Sequence, residues 1–347
     1  MKRETTSTKL RRWRIMRRRE CRRLKKQRRR RLKVSRRASW FNVEAPPMFC
    51  LHNKHHREQV IAFAAKLRNF AVRKSRDVII DFTRTERMFA DGTLLLKAEL
   101  SRILRIIGNA AKIKCRPPEN EKVSQVLQQV GIYELLRYRS HVEPSYNDVV
   151  SWRHASGTGA RGEEYERILG DFEDKISSRF QRGLYEGIVE AMTNANHHAY
   201  ENLRFDGLNY VDSRKEWWMF SQVKDNRLSV TFCDLGIGIP RSLPLKKKQL
   251  WDSLIEILRR TPPDGKAIEA AVKQSRSRTG LGHRGKGLKQ LVAAISKANE
   301  SHLLIYSNAG CYSYQKHNGK EEETHFNYKG SILGTLICWA LPLDQEE

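Results

Sequence analysis

Three separated segments of this chain carry residue types whose spacing suits one piece of chemistry. They are Glu190-Ala-Met-Thr-Asn194-Ala-Asn-His-His-Ala199, Asp234-Leu-Gly236-Ile-Gly238-Ile239 and Gly280-Leu-Gly282-His-Arg-Gly285-Lys286-Gly287-Leu288. Glu190 and Asn194 stand four residues apart, which on a helix places them on one face, a turn apart. The amide oxygen suits a hard divalent cation that keeps water and phosphate oxygens. The carboxylate suits taking a proton from an attacking water or hydroxyl. An ordinary polar pair on an amphipathic helix has the same spacing. In the second segment Asp234 follows the apolar run Val230–Phe232. A buried carboxylate at a strand end can accept from an exocyclic amine such as that of adenine. Glycines beside it let backbone approach a ligand and take unusual dihedrals. A plain strand-to-loop turn has the same local pattern.

The third segment imitates two motifs and satisfies neither. Gly280-x-Gly282-x-x-Gly285 fits the dinucleotide fingerprint in form, but that motif needs a preceding strand, and 274–279 is polar. Gly285-Lys286 resembles the end of a Walker loop, yet Gly287 stands where Ser or Thr is required. What remains is a glycine-rich turn feeding a helix from Leu288, whose amides and dipole favour phosphate. Arg284 and Lys286 are read either as phosphate contacts or as solvated charges.

The elements that must position these residues alternate strand and helix. Val43–Leu51 is expected as a strand interrupted by Pro46-Pro47, and Arg57–Lys74 has the three-and-four apolar spacing of a helix. Asp77–Phe82 is a β-branched strand, Thr93–Ile107 a helix closed by Gly108, and Lys112–Arg116 a short strand. Lys122–Leu136 is a helix interrupted at Gly131. After a small, polar, glycine-rich stretch come a helix over Tyr165–Tyr200 and the strands Glu216–Val223 and Leu228–Cys233, joined by a hairpin turn. Residues 240–279 mix charge, proline and short helices in the manner of a flap. A helix over Leu288–Ala298 and strands over Leu303–Ser307, Cys311–Gln315 and Ser331–Leu341 close the chain.

The expected division is a basic arm over 1–42, an α/β domain over 43–152, a linker over 153–164 and a second α/β domain over 165–343. Of the net charge of +27, the first 40 residues supply 18, with 20 Lys and Arg against Glu4 and Glu20. Two readings of the arm stay open: contact with nucleic acid or another acidic surface, or a solvated, disordered tail. No apolar run is long enough to span a bilayer, so no membrane role is expected. Six scattered cysteines show no metal or disulfide spacing, which suggests a reducing cytoplasm. His52, His55 and His56 show no partners at metal spacing and are read as a solvated run.

Over 165–343 the three segments resemble the GHKL superfamily, the ATP-binding fold of histidine kinases, anti-sigma serine kinases, type II topoisomerases and related chaperones. Glu190-x3-Asn194 is similar to the N box, Asp234-x-Gly236-x-Gly238 to the G1 box, and Gly285-x-Gly287-Leu288 to the G2 box. Gly334-Thr335-Leu336 is similar to the closing Gly-Thr strand. The resemblance implies a Bergerat-type α/β sandwich, a mixed sheet with helices on one face. It also implies ATP and Mg2+ as cofactors, with Asn194 as magnesium ligand, Asp234 as adenine reader and Thr335 near the base. Gly236 and Gly238 would lie in the base loop, and Gly282, Gly285, Lys286, Gly287 and Leu288 would lie on the phosphates. Glu190 would be the catalytic base. His197 and His198 are read as structural.

Residues 43–150 resemble a STAS domain, through Asp77–Ile107 and the helix Val123–Leu136. The phosphorylated Asp-Ser-Ser/Thr-Gly turn of that family is replaced here by Phe89-Ala90-Asp91-Gly92, which lacks a hydroxyl. The pairing is closest to the anti-sigma kinase branch. It implies a bacterial-type regulatory ATP-binding protein that hydrolyses ATP or transfers phosphate to Ser or Thr of a protein partner in signalling. The alternatives are an ATP-gated clamp on nucleic acid and a nucleotide-binding scaffold without turnover. The partners expected are ATP, a regulatory protein, nucleic acid at the arm and a second copy of the chain.

Overall fold

The computed structural model describes residues 40–140, 142–159, 169–170, 178–210, 214–277 and 287–343. In the N-terminal part β1 (Phe41–Glu44), β3 (Val78–Asp81) and β5 (Ile113–Arg116) form a parallel sheet in the order β1-β3-β5. A second parallel pair, β2 (Met48–Phe49) with β4 (Arg87–Met88), lies beyond Pro46-Pro47, which split the expected opening strand. Helix α1 (Lys54–Leu67) starts where the Asn53 side chain accepts from the amides of His55 and His56, and it continues as a π-helical segment, Arg68–Arg73. Helix α2 (Ala90–Ile107) ends at Gly108. Helices α3 (Glu121–Gln129) and α4 (Ile132–Leu135) are divided by Gly131, whose φ of 73° breaks the single helix expected there. A short α5 (Asn147–Val150) follows.

The segment expected as a linker opens instead with a strand, β6 (Arg153–Gly157), antiparallel to β7 (Trp217–Lys224). Its Gly, Ser and His content hides a strand whose backbone is held by its neighbour. Helix α6 (Ser178–Asn194), continued by a π-helical turn Ala195–Ala199, precedes the hairpin of β7 and β8 (Arg227–Asp234). Asp225 and Asn226 both have positive φ at that turn, as a twisted two-residue hairpin loop requires. The expected flap is three helices: α7 (Ile239–Lys246), α8 (Lys248–Leu258) and α9 (Asp264–Ser277). Then come α10 (Gly287–Ser296), β9 (Ser301–Ser307), β10 (Gly310–His317), β11 (Lys320–Asn327) and β12 (Thr335–Pro342). Strand β11 is polar and largely exposed, so its sequence lacks an apolar alternation.

The large sheet has seven strands in the order β11-β10-β9-β12-β8-β7-β6. Its neighbours are antiparallel throughout, rather than mixed; the parallel pairings belong to the N-terminal part. One face packs on α6, α9 and α10 through Leu184, Ile188, Ile268, Leu291, Trp217 and Trp339. The other face is covered by α2, whose Leu94, Leu96, Leu100 and Ile103 share a core with Trp218, Phe220, Tyr306 and Leu336. The protein is thus an α/β sandwich, with helices on both faces of the large sheet. No described helix is long and apolar enough to cross a membrane.

Helix α2 is buried almost all round, as a helix between two layers must be. Its charges therefore need partners. Glu99, 1% exposed, accepts from Arg204 and forms an ion pair with Arg68 at 2.7 Å. Arg102 donates to Asp206 at 2.5 Å. Arg105 pairs with Glu216. These pairs tie α2 to the segment between α6 and β7. Burial alone would raise the Glu99 pKa, but Arg204 and Arg68 outweigh it and hold the carboxyl at about 2. The pair therefore stabilises the fold above the unfolded pKa of 4.5 and loses that contribution as pH falls toward 2. Glu99→Gln should cost about 3–5 kcal/mol at neutral pH, because it removes the carboxylate that neutralises two buried guanidinium groups. Urea unfolding should show the difference from wild type shrinking below pH 4.5.

Candidate functional site

Asp234 closes β8 and faces Thr335, the first residue of β12, in register. Its carboxylate is 6% exposed and accepts from the Gly236 amide at 2.9 Å and from the Thr335 backbone and hydroxyl. Those bonds only partly offset the loss of water: burial pushes the Asp234 pKa up to about 6. Ser307 of β9 ties the same corner together. Its hydroxyl lies 3.2 Å from that of Thr335 and accepts from the Ile239 amide at 2.8 Å, where α7 begins.

The two expected glycines of this loop do different work. A Cβ on Gly236 would sit 2.2 Å from the Ala199 carbonyl oxygen, so Gly236 permits close packing on the end of the α6 segment. Gly236 itself does not line the cavity. Gly238 does, with φ of 81°, and a Cβ there would meet the Asn308 amide at 2.6 Å. Asn308 in turn donates to the Ile237 carbonyl at 2.9 Å, and its own carbonyl accepts from the buried Arg57 of α1 at 3.3 Å. The loop is therefore braced from the N-terminal part.

Helix α6 supplies the opposite wall. Glu190 and Asn194 both line the cavity, and the Asn194 amide nitrogen donates to a Glu190 oxygen at 3.4 Å. That bond spends the nitrogen and keeps the amide oxygen, a hard donor, for a cation. Asp234, Gly238, Thr335, Glu190 and Asn194 thus share one cavity of about 190 Å3. Of the third segment, Gly282, Gly285 and Lys286 lie outside the described residues. Gly287 and Leu288 form the first turn of α10, which reaches the cavity through Leu291.

Several lining residues carried no signal in the sequence. His198, expected as structural, lines the cavity, with its pKa lowered by burial and by the Lys246 ammonium. Ser242 and Lys246 come from α7 and Ala271 from α9, both in the stretch expected as a flap. Lys246 is paired with Glu201 at 2.6 Å. The rest of the lining, including Phe232, Ile239, Leu291 and Ile337, is apolar. An apolar slot ending in one buried carboxylate and one hydroxyl suits a flat heteroaromatic ring with an amine at its edge.

No family model matches the chain, and no curated protein does. Among solved structures, the chain is similar to the ATP-binding domain of topoisomerase IV from Francisella tularensis, determined in complex with a small-molecule inhibitor. The identity is 12% and the TM-score 0.24, over 55% of this chain and 42% of that one. The chain thus spans about two fifths of that protein's length. A TM-score this low sets no relationship between the folds.

Because the folded pKa of Asp234 lies above its unfolded value of 3.8, its ionisation opposes folding. The penalty is absent below pH 3.8 and complete above about 6. Asp234→Asn should therefore be more stable than wild type at pH 7.5, by about 1–3 kcal/mol. Urea midpoints at pH 7.5 and 4.5 should show that gain fading at the lower pH.

Proposed function

We propose that the chain is a regulatory ATP-binding protein. The observation that supports this is the joining of Asp234 and Thr335 with Glu190 and Asn194 in one cavity. The ionised Asp234 accepts a hydrogen bond from the adenine amino group, and Thr335 and the apolar walls hold the ring. Asn194 then faces the phosphates and holds Mg2+ through its amide oxygen. That ion supplies charge neutralisation of the phosphate oxygens when bound. Glu190, beside Asn194, takes the proton of the attacking group, a water or a Ser/Thr hydroxyl of a protein partner. Gly287 and Leu288, in the first turn of α10, supply amides at a helix N-terminus for the phosphate end.

Titration calorimetry with ATP and Mg2+ tests the binding half. Asp234→Asn removes a charge-assisted acceptor worth about 1.5–3 kcal/mol, so affinity should fall by about 10- to 150-fold. Unchanged affinity would contradict the assignment. Affinity should also weaken as pH drops through about 6, where Asp234 protonates and stops accepting. Glu190→Ala should keep ATP affinity within about threefold while lowering turnover by about 10²–10⁴. Incubation with γ-labelled ATP and cell lysate separates release of phosphate from its transfer to a protein. No turnover in wild type under either condition would leave a nucleotide-binding scaffold.

A further inference from the structure

A second constellation lies away from the nucleotide cavity, at the N-terminus of α2. Cys50 and His52 follow β2, and Asp91 stands in the first turn of α2. One ligand-type atom from each of the three residues lies within 4.8 Å of the others. The Cys50 sulfur is 3.2 Å from His52 Nδ1, and an Asp91 oxygen is 3.8 Å from the same nitrogen. Zinc bonds of about 2.3 Å to sulfur and 2.0–2.2 Å to nitrogen and oxygen, at tetrahedral angles, set donor separations of about 3.4–3.6 Å. Both separations fall within a few tenths of an ångström of that range.

We propose that Cys50, His52 and Asp91 form a site for a divalent transition-metal ion of the zinc class, with one coordination position open. Three features favour a metal over an incidental cluster. The ligand set is mixed sulfur, nitrogen and oxygen, which suits zinc and does not suit magnesium or calcium. Asp91 and Cys50 are buried, and Asp91 is already oriented by the amides of Leu51 at 2.9 Å and Gly92 at 2.6 Å. Such backbone bonds fix a ligand while leaving its oxygens further lone pairs. His52 is half-exposed and lines a groove of about 520 Å3 that also carries His302, Gln315 and Glu322. The groove gives an ion a way in and leaves the fourth position to water or to a molecule lying in it.

A thiol–imidazole–carboxylate relay is the competing arrangement. It needs the sulfur and the carboxylate on opposite ring nitrogens, with the imidazole between them. Here the sulfur lies 3.2 Å from Nδ1 and 3.5 Å from Nε2 while the carboxylate approaches Nδ1, so the two do not take opposite nitrogens. A rotation of the half-exposed ring turns Nδ1 toward a point shared by all three donors.

The test uses the full-length chain, stripped by a chelator and kept in excess Mg2+ without nucleotide. Zn2+ titrated against a chromophoric chelator should bind at one equivalent and raise the melting temperature. Co2+ in its place should give a thiolate-to-cobalt charge-transfer band. Cys50→Ser should abolish the band, and His52→Ala should weaken Zn2+ binding by more than the roughly 10- to 100-fold typical of an outer-sphere loss. His52 is half-exposed, so its variant should keep the metal-free melting temperature of wild type. Absence of a one-equivalent site in wild type would overturn the proposal. So would a Zn2+ affinity and a cobalt band that persist in both variants.

Discussion

A carboxylate removed from water at the end of β8 is the constraint on which the site depends. Asp234 tolerates burial only because Gly236 turns its amide back onto it and because Thr335 of the neighbouring strand meets it in register. Gly334 is part of the same arrangement: a Cβ there would lie 2.3 Å from the Asp234 carbonyl oxygen. The Asp-x-Gly and Gly-Thr pairs, 100 residues apart in the chain, are thus two halves of one device. Incomplete compensation keeps the pKa at about 6. That residual cost is what a ligand donating to the carboxylate would relieve.

The second constraint is the burial of α2 between the large sheet and α1 with its π-helical continuation. A helix covered on every side cannot carry Glu99 and Arg102 unless other elements bring partners, and Arg68, Arg204 and Asp206 do so. Arg204 also donates to the carbonyls of Ile332 and Leu333, the residues leading into Gly334 and Thr335. Arg57 reaches Asn308, and Asn308 reaches Ile237. The N-terminal part therefore contacts the Asn308 backbone directly through Arg57, and through Glu99 it holds the Arg204 that binds the backbone leading into Thr335. A change in how α1 or α2 sits would be felt at the Asp234 end of the cavity first.

The placement of these residues was legible in the sequence where spacing is local: Glu190 and Asn194 on one helix face, Asp234 at a strand end and Thr335 opening a strand after glycine. The helices and the buried strands followed from apolar periodicity, and Gly131 marked the break between α3 and α4. What stayed hidden depends on pairing between distant elements. Ser307 looks like any strand serine until β9, β12 and α7 meet around it. Strands β6 and β11 are polar, so only their neighbours define them. Cys50, His52 and Asp91 lie 41 residues apart from first to last, and only the packing of α2 against β2 brings them together.

The most direct measurement is the titration of the Asp234 carboxyl carbon by NMR, with and without adenosine. The account predicts a pKa near 6 in the free protein. Bound adenosine should lower it, because an amine donating to the carboxylate favours the ionised form. A titration unmoved by saturating adenosine would contradict the assignment of Asp234 as the reader of the base.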